Sequence, residues 1–471
     1  METLQRTANR GSISTGYDID NSLKMEADNT ESMTRTPSSS GNRKTWTLSF
    51  WFKRTELGAA VRLFEAWDGS KGTSSLFTDT DFFILDLNTA SNYFTSSQVF
   101  RDTSAWYHFV VRVDTTSATD SERVRVYVNG SELVGSWTGG YIGQNTDLTW
   151  NQNVVHYLGV FHPSSQFANG YYAEVINVDG TSLAPTEFGE FDEDSGIWKP
   201  KAYEGTYGTN GFYLDFENSG SLGADSSGNG NNFTLNNITS ADQALDTPTN
   251  NFCTWNPLQT GWNTNYGTGQ VIVEGATEAY ASTNYAAIEG SMAVQSGKWY
   301  WESKPNRTGG IMVGVAALNG IRWAGDTAYW YLGMNAQGIG TILGNWYYNG
   351  TSTSTDATDW TNGDIVSIAL DMDNYKIYMA VNGSWGGTSN PATGTGGYDF
   401  SSASNFTSNF VVPAGRIETA NSSYVIETNF GGYTTMSIAS GNSDSSGYGN
   451  FEYAPPSGYY ALCSRNLSEY G

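Results

Sequence analysis

Three histidines, one acidic run and a few aromatic-rich turns are the places in this 471-residue chain where residue type and spacing could do chemistry. A general base needs a nucleophile held beside it. His108 stands in an alternating run, on the face opposite Phe109 and Val111, and reads as structural. His156 and His162 have no partner motif: no G-x-S-x-G, no H-E-x-x-H and no Cys/His metal spacing occurs. The acidic run is Glu190-Phe191-Asp192-Glu193-Asp194. As a strand it would put Glu190, Asp192 and Asp194 on one face, and a retaining glycosidase pair needs carboxyls about 5 Å apart. Glu193 stands where an apolar residue would be needed, and Gly189 and Gly196 flank the run. A solvated acidic connector is the better reading, and no catalytic residue is expected.

Binding chemistry is better represented. Flat rings on loops suit ligands such as sugars, whose C–H faces stack on them. Trp346, Tyr347 and Tyr348 lie in a row between Gly344-Asn345 and Asn349-Gly350, so at least one must leave the core face. Trp262 and Tyr266 sit in a Gly/Asn/Thr loop, and Trp385 follows Asn382-Gly383-Ser384. These six are the candidate ligand-binding residues; the alternative is packing against neighbouring loops or a partner subunit.

The elements that must carry these turns are strands. From Thr45 to Lys53, the residues Trp46, Leu48, Phe50 and Phe52 share one face opposite Thr45, Thr47, Ser49 and Lys53. That period of two predicts a half-buried strand. Trp106–Asp114 and Val124–Val128 repeat it, the latter running into Asn129-Gly130, a hairpin signal. Val154–Val160, Tyr171–Val178 and Thr206–Phe216 follow. After a weakly patterned stretch, 236–257, the strands KWYWE (298–302), IMVGV (311–315), DIVSIALD (364–371) and KIYMAV (376–381) resume, the last meeting Asn382-Gly383. The expected fold is therefore all-β, with two tandem antiparallel β-sandwich (jelly-roll) domains at 21–250 and 251–471. Residues 1–20 lack strand pattern and are expected to be an anchoring arm.

Composition agrees. Aromatic content is 14%, charged content only 15%, and Gly outnumbers Pro 54 to 11, which describes strands and turns solubilised by hydroxyls and amides. The net charge of −24 repels phosphate backbones and anionic lipid, so neither nucleic acid nor membrane is an expected partner. The opening residues show no apolar signal region and no stretch approaches the ~18 apolar residues of a membrane helix. Asn237-Ile-Thr and similar triplets are accordingly not expected to be glycosylated. Cys253 and Cys463 are expected to be reduced thiols, with one bridge as the alternative if the end strands of the second half pair.

The first half resembles laminin-G-like, concanavalin-type jelly rolls through TWTLSFWFKR (45–54), AWYHFVVRVD (105–114), RVYVNGSEL (125–133), YLGV (157–160) and GYYAEVINVDGTSL (170–183). The second half resembles a SPRY domain through GKWYWE (297–302), VGVA (313–316), DWTNGDIVSIALDMDNYKIYMAVNG (359–383), NFGGYT (429–434) and APPSGYYAL (454–462). The pairing is similar to tail fibre or virion structural proteins of marine tailed phages. The concanavalin-type resemblance also brings laminarinase-like glycosidases, with an E-x-D-x-E strand, to bear on Glu190 and Asp192. It further implies a Ca²⁺ site on a loop edge, for which Asp225, Asp371, Asp373 and Asp444 are candidates; capping of local turns is the alternative.

These resemblances imply a virion surface protein, made in the host cytoplasm, that binds a host-surface glycan or neighbouring virion proteins. A homo-oligomer is expected, trimeric if the protein is a fibre, and repetition would add avidity. Three alternatives stand: an architectural decoration protein, a glycan depolymerase and a secreted adhesin. The missing coiled-coil heptads and β-helix repeats favour a compact knob or capsid-attached protein over a long fibre.

Overall fold

The computed structural model describes residues 16–87, 92–258, 269–284, 286–307, 309–318, 332–334 and 336–471. The chain divides into two compact units, Met1–Asn250 and Asn251–Gly471. Both are all-β, and each packs antiparallel sheets face to face.

In the first unit, one eight-stranded sheet runs in the order Ser131–Glu132, Val124–Val128, Trp106–Asp114, Thr45–Arg54, Gly170–Asp179, Ser22–Met25, Gln243–Ala244, with Phe212–Leu214 also paired to Gly170–Asp179. The other runs Gly135–Thr138, Tyr93–Val99, Phe82–Leu87, Gly72–Phe77, Val61–Trp67, Val155–Leu158, Ser32–Arg35, Thr234–Asn236. Period-two alternation decides what lies between them: Trp46, Leu48, Phe50 and Phe52 face Phe64, Phe77, Phe83 and Trp150 in one aromatic core. Phe50 stacks on Phe109 at 5.6 Å and Phe83 on Phe109 at 4.9 Å. Burying each such ring contributes about 2–3 kcal/mol. On the far side of the first sheet, Val110, Ile176 and Val178 are covered by Phe188, with Tyr203, Tyr207 and Tyr213 at the margin.

The second unit pairs a nine-stranded sheet with a six-stranded one. The larger is built around Lys298–Pro305, Val366–Asp371 and Lys376–Val381, and the smaller around Val411–Ile417, Ile311–Ala317 and Gly338–Ile342. Trp299, Trp301, Ile368, Leu370, Ile377 and Met379 point inward from the large sheet. The intervening Tyr300, Ala369 and Tyr378 point outward, where Phe252, Phe451, Tyr459 and Cys463 cover them. The described helices Ser404–Thr407 and Ser464–Tyr470 are short, and none among the described residues is long and apolar enough to cross a membrane.

Both Asn-Gly hairpins expected from the sequence form with two left-handed residues, Asn129 and Gly130 at φ 47° and 77°, Asn382 and Gly383 at 47° and 76°, and Asn349-Gly350 makes a third at 47° and 73°. That is the turn whose twist matches flanking antiparallel strands. The alternation at Thr206–Phe216 is only partly a strand, Phe212–Leu214. Upstream, Gly208 and Gly211 close a turn so tight that a Cβ would lie 2.0 Å from Asp179 O and 1.8 Å from Tyr207 O, respectively. The expected arm at 1–20 is corrected at its end. Tyr17 is hydrogen-bonded to Glu174, and buried Ile19 donates its N–H to Thr249 Oγ1 at 3.1 Å, so this stretch is part of the first unit. Residues 1–15 lie outside the described residues.

Candidate functional site

In the second sheet of the first unit, the outward residues form a polar row across neighbouring strands. Tyr93, Asp86, Ser74, Glu65, Tyr157 and Thr34 are successive cross-strand partners. Their neighbours Phe94, Leu85, Phe64, Leu158 and Met33 fill the core. Glu65 sits mid-row with 1% exposure. Its Oε2 accepts the His162 backbone N–H at 2.8 Å and lies 3.3 Å from His162 Nδ1. The His162 ring stacks on Trp67 at 4.0 Å, leaving Trp67, His162 and Tyr157 half-buried around the carboxyl.

Arg62 braces the other side of Glu65. It donates to Ser74 Oγ at 2.7 Å and Gln166 Oε1 at 3.0 Å, lies 3.6 Å from Asp86 Oδ2, and covers the Phe161 ring at 4.4 Å. Burial pushes the Glu65 carboxyl up, against the pull of the His162 N–H and Arg62. Burial likewise raises Asp86, against Arg62. The result is a sheet face with flat rings next to fixed donors and acceptors, the combination that orients a polar ligand. The strand VRLFEAW signals it weakly: Arg62, Glu65 and Trp67 are polar or amphipathic among core residues, and only the cross-strand register shows them aligned.

In the second unit, one hairpin and two connections that cross between the sheets meet around a cavity of about 300 Å³. Arg307, Gly309 and Gly310 come from one connection, Ile342, Leu343 and Tyr347 from the hairpin, and Glu418, Thr419 and Tyr424 from the other connection. The Arg307 guanidinium lies over the Tyr424 ring at 4.0 Å. Leu343 stands at the rim with 49% exposure and φ 49°. A bulky residue in the left-handed region is uncommon and costs of order 1 kcal/mol.

The aromatic triplet is thereby resolved. Tyr347 lines the cavity. Trp346 is fully buried in the core, which corrects its expected ligand role: the pleat that turns Tyr347 out turns Trp346 in. Tyr348 is half-buried against Phe406 at 6.2 Å. Trp385 is half-buried against the cluster holding Tyr300 and Tyr378, away from the cavity lining. Trp262 and Tyr266 lie outside the described residues.

The four candidate calcium ligands do not converge. Asp225 accepts the N–H groups of Tyr213, Ser227 and Asn231. Asp371 is fully buried, pairs with Lys298 at 3.0 Å and caps the turn at Asp373 and Asn374. Asp373 accepts from Gly297 N, and Asp444 from Ser446, Tyr448, Ala461 and Asn466. Among the described residues, no group of three or more His, Cys, Asp or Glu side chains could hold a metal ion.

The acidic run forms a hairpin, Gly189–Phe191 against Trp198–Pro200. Lys199 lies 3.3 Å from both Glu190 and Asp192, and Asp192 caps the turn by accepting from Ser195 N at 2.9 Å.

Residues 28–180, within the first unit, match the laminin-G-type family described as the concanavalin A-like lectin/glucanases superfamily. No curated protein matches the chain significantly. Among solved structures, the chain is similar to the SPRY domain of human HERC1, with 16% identity, covering 34% of this chain and 91% of that one, TM-score 0.26. It is similar to a putative carbohydrate binding protein from Bacteroides ovatus ATCC 8483, with 13% identity over 47% of this chain and 59% of that one, TM-score 0.33. Stonustoxin aligns with 17% identity over 38% of this chain and 27% of its own, TM-score 0.27.

Proposed function

We propose that this chain is a non-enzymatic attachment protein of a phage virion surface that binds a glycan through its first unit. The observation carrying the glycan reading is the row centred on Glu65, with the Trp67–His162 stack and Tyr157 beside it. Rings supply faces for sugar C–H groups, and Asp86, 28% exposed, supplies an acceptor at the surface, while buried Glu65, Ser74 and Arg62 hold the face in place beneath it. The lectin-type match over 28–180 supports the same ligand class. The cavity at Tyr347 is a second contact point, and linked weak contacts gain through effective concentration. The virion setting rests on the paired resemblances of the two halves.

A binding role fits the state of the acid–base groups. His108 and His156 are fully enclosed and held neutral by burial, and the Glu190 and Asp192 carboxylates are engaged in a hairpin turn and its ion pairs.

The test is saturable binding of labelled protein to candidate host cells and to a glycan array, with Trp67→Ala and Tyr157→Ala beside the wild type. Loss of about tenfold or more in affinity in both variants is expected. Binding that both variants retain would remove this face from the site. A folded protein that binds no cell and no glycan would leave the architectural role instead.

A further inference from the structure

On the outer side of the first sheet of the first unit, three oxygen-bearing side chains meet in a triangle. Tyr17 Oη lies 2.8 Å from Glu174 Oε2, Tyr213 Oη lies 2.7 Å from Glu174 Oε1, and the two hydroxyls lie 2.8 Å from each other. Three contacts at this spacing are hydrogen bonds only if three protons are present. The two hydroxyls bring one each. The third must sit on Glu174, because an ionised carboxylate only accepts and would leave the hydroxyl pair facing each other without a proton between them.

We propose that Glu174, Tyr17 and Tyr213 form a proton-operated latch. With a proton on Glu174 they close a ring of three hydrogen bonds, and loss of that proton opens the ring and loosens the segment at Tyr17 from the unit. In the closed ring the Glu174 acid O–H donates to one hydroxyl, that hydroxyl to the other, and the second hydroxyl back to the carboxyl.

The surroundings favour the protonated form. Glu174 is 6% exposed and occupies an irregularity in Gly170–Asp179, at φ 52°, where pairing with Thr45–Arg54 skips from Ala173 to Ile176. Such a bulge aims one side chain out of the alternation. The charges acting on it are the carboxylates Asp215 and Glu217, beyond the strand that carries Tyr213. Asp20, on the segment that carries Tyr17, faces Glu217 in turn, and Tyr207 stacks on Tyr213. Burial foremost pushes Glu174 up to about 7, against the two hydroxyls and with help from Asp215 and Glu217. Burial also raises Tyr17 and Tyr213, so neither hydroxyl gives up its proton first.

The experiment uses the full chain. Infrared difference spectra of wild type against Glu174→Gln should show a protonated-carboxyl band at about pH 6 that vanishes by about pH 8.5. Over the same range, amide exchange at residues 17–19, corrected for intrinsic rates, should speed up about tenfold in the wild type and stay flat in Glu174→Gln, whose amide cannot ionise. Tyr17→Phe, which keeps the ring volume, should exchange fast at both pH values. No carboxyl band at pH 6, equal acceleration in Glu174→Gln, or wild-type behaviour in Tyr17→Phe would each overturn the latch.

Discussion

The indole N–H of Trp198 donates to Nδ1 of His108 at 2.9 Å, which fixes the chemistry of a histidine deep in the first sheet. Because Nδ1 accepts, Nε2 carries the proton and donates to Ser49 Oγ at 2.8 Å. Trp51 stacks on the imidazole at 4.6 Å and Trp198 lies nearly parallel to it. A Ser–His pair with this proton placement cannot begin nucleophilic attack, since the imidazole offers the serine a donor where a base would accept. The acidic hairpin is docked on the sheet by the same indole.

Burial pulls His108 down to about 3 and, with Arg35 nearby, His156 down to about 4. The unfolded chain binds these protons at about pH 6.5, whereas the folded one refuses them. Stability from both groups is therefore present above pH 6.5 and lost as pH falls toward the folded values, at up to about 1.4 kcal/mol per pH unit each. Ring-nitrogen NMR should show His108 neutral, with the Nε2–H tautomer, throughout the range above about pH 4. Trp198→Phe should cost about 1–3 kcal/mol by leaving Nδ1 without its donor.

Cys253 and Cys463 lie on adjacent stretches of the second unit: Cys253 N donates to Leu462 O at 2.9 Å, and Phe252 pairs with Cys463. The one-residue offset turns their side chains to opposite faces, Cys253 into the core between the sheets and Cys463 into the cluster on the outer side. End-strand pairing thus occurs without a disulfide. Neither thiol should react with a maleimide in the native protein, both should react in denaturant, and mild oxidation should leave two titratable thiols per chain.

How much of this was legible in the sequence depends on distance along the chain. Thr45–Arg54, Trp106–Asp114, Val124–Val128 and Lys376–Val381 follow from local alternation, and both Asn-Gly turns follow from residue type. The row from Tyr93 through Glu65 to Thr34 could not be read this way. Its members come from six strands whose order across the sheet differs from their order along the chain. The triplet at Trp346 shows the same limit. Alternation says that neighbours face opposite ways, but not which one faces in; that is set by the sheet packed opposite.

Calcium chemistry meets a geometric obstacle at Asp444. Its two oxygens already accept four hydrogen bonds, from Ser446, Tyr448, Ala461 and Asn466. A hard cation would have to displace N–H donors pointing at the same lone pairs. Adding millimolar Ca²⁺ or EDTA should leave the melting temperature unchanged, whereas Asp444→Ala should lower stability by about 2–4 kcal/mol through four orphaned donors. Thermal melts of both samples, with and without EDTA, check this.

Trp346 and Tyr347 separate folding from binding at adjacent positions. Trp346 is 0% exposed and contacts Tyr398 at 6.0 Å, so Trp346→Ala opens a core cavity and should cost about 3–5 kcal/mol. Tyr347 faces the cavity beside Arg307 and Tyr424, and Tyr347→Ala should cost less, about 1–2 kcal/mol, because its ring is only partly buried at the margin of the core. If the cavity contributes to attachment, Tyr347→Ala should weaken binding in a protein that remains folded. Trp346→Phe, which keeps an aromatic ring in the core, should bind as the wild type does. Denaturant titrations read the first difference and cell-binding isotherms the second. A Tyr347→Ala protein that binds like the wild type would confine attachment to the face around Glu65.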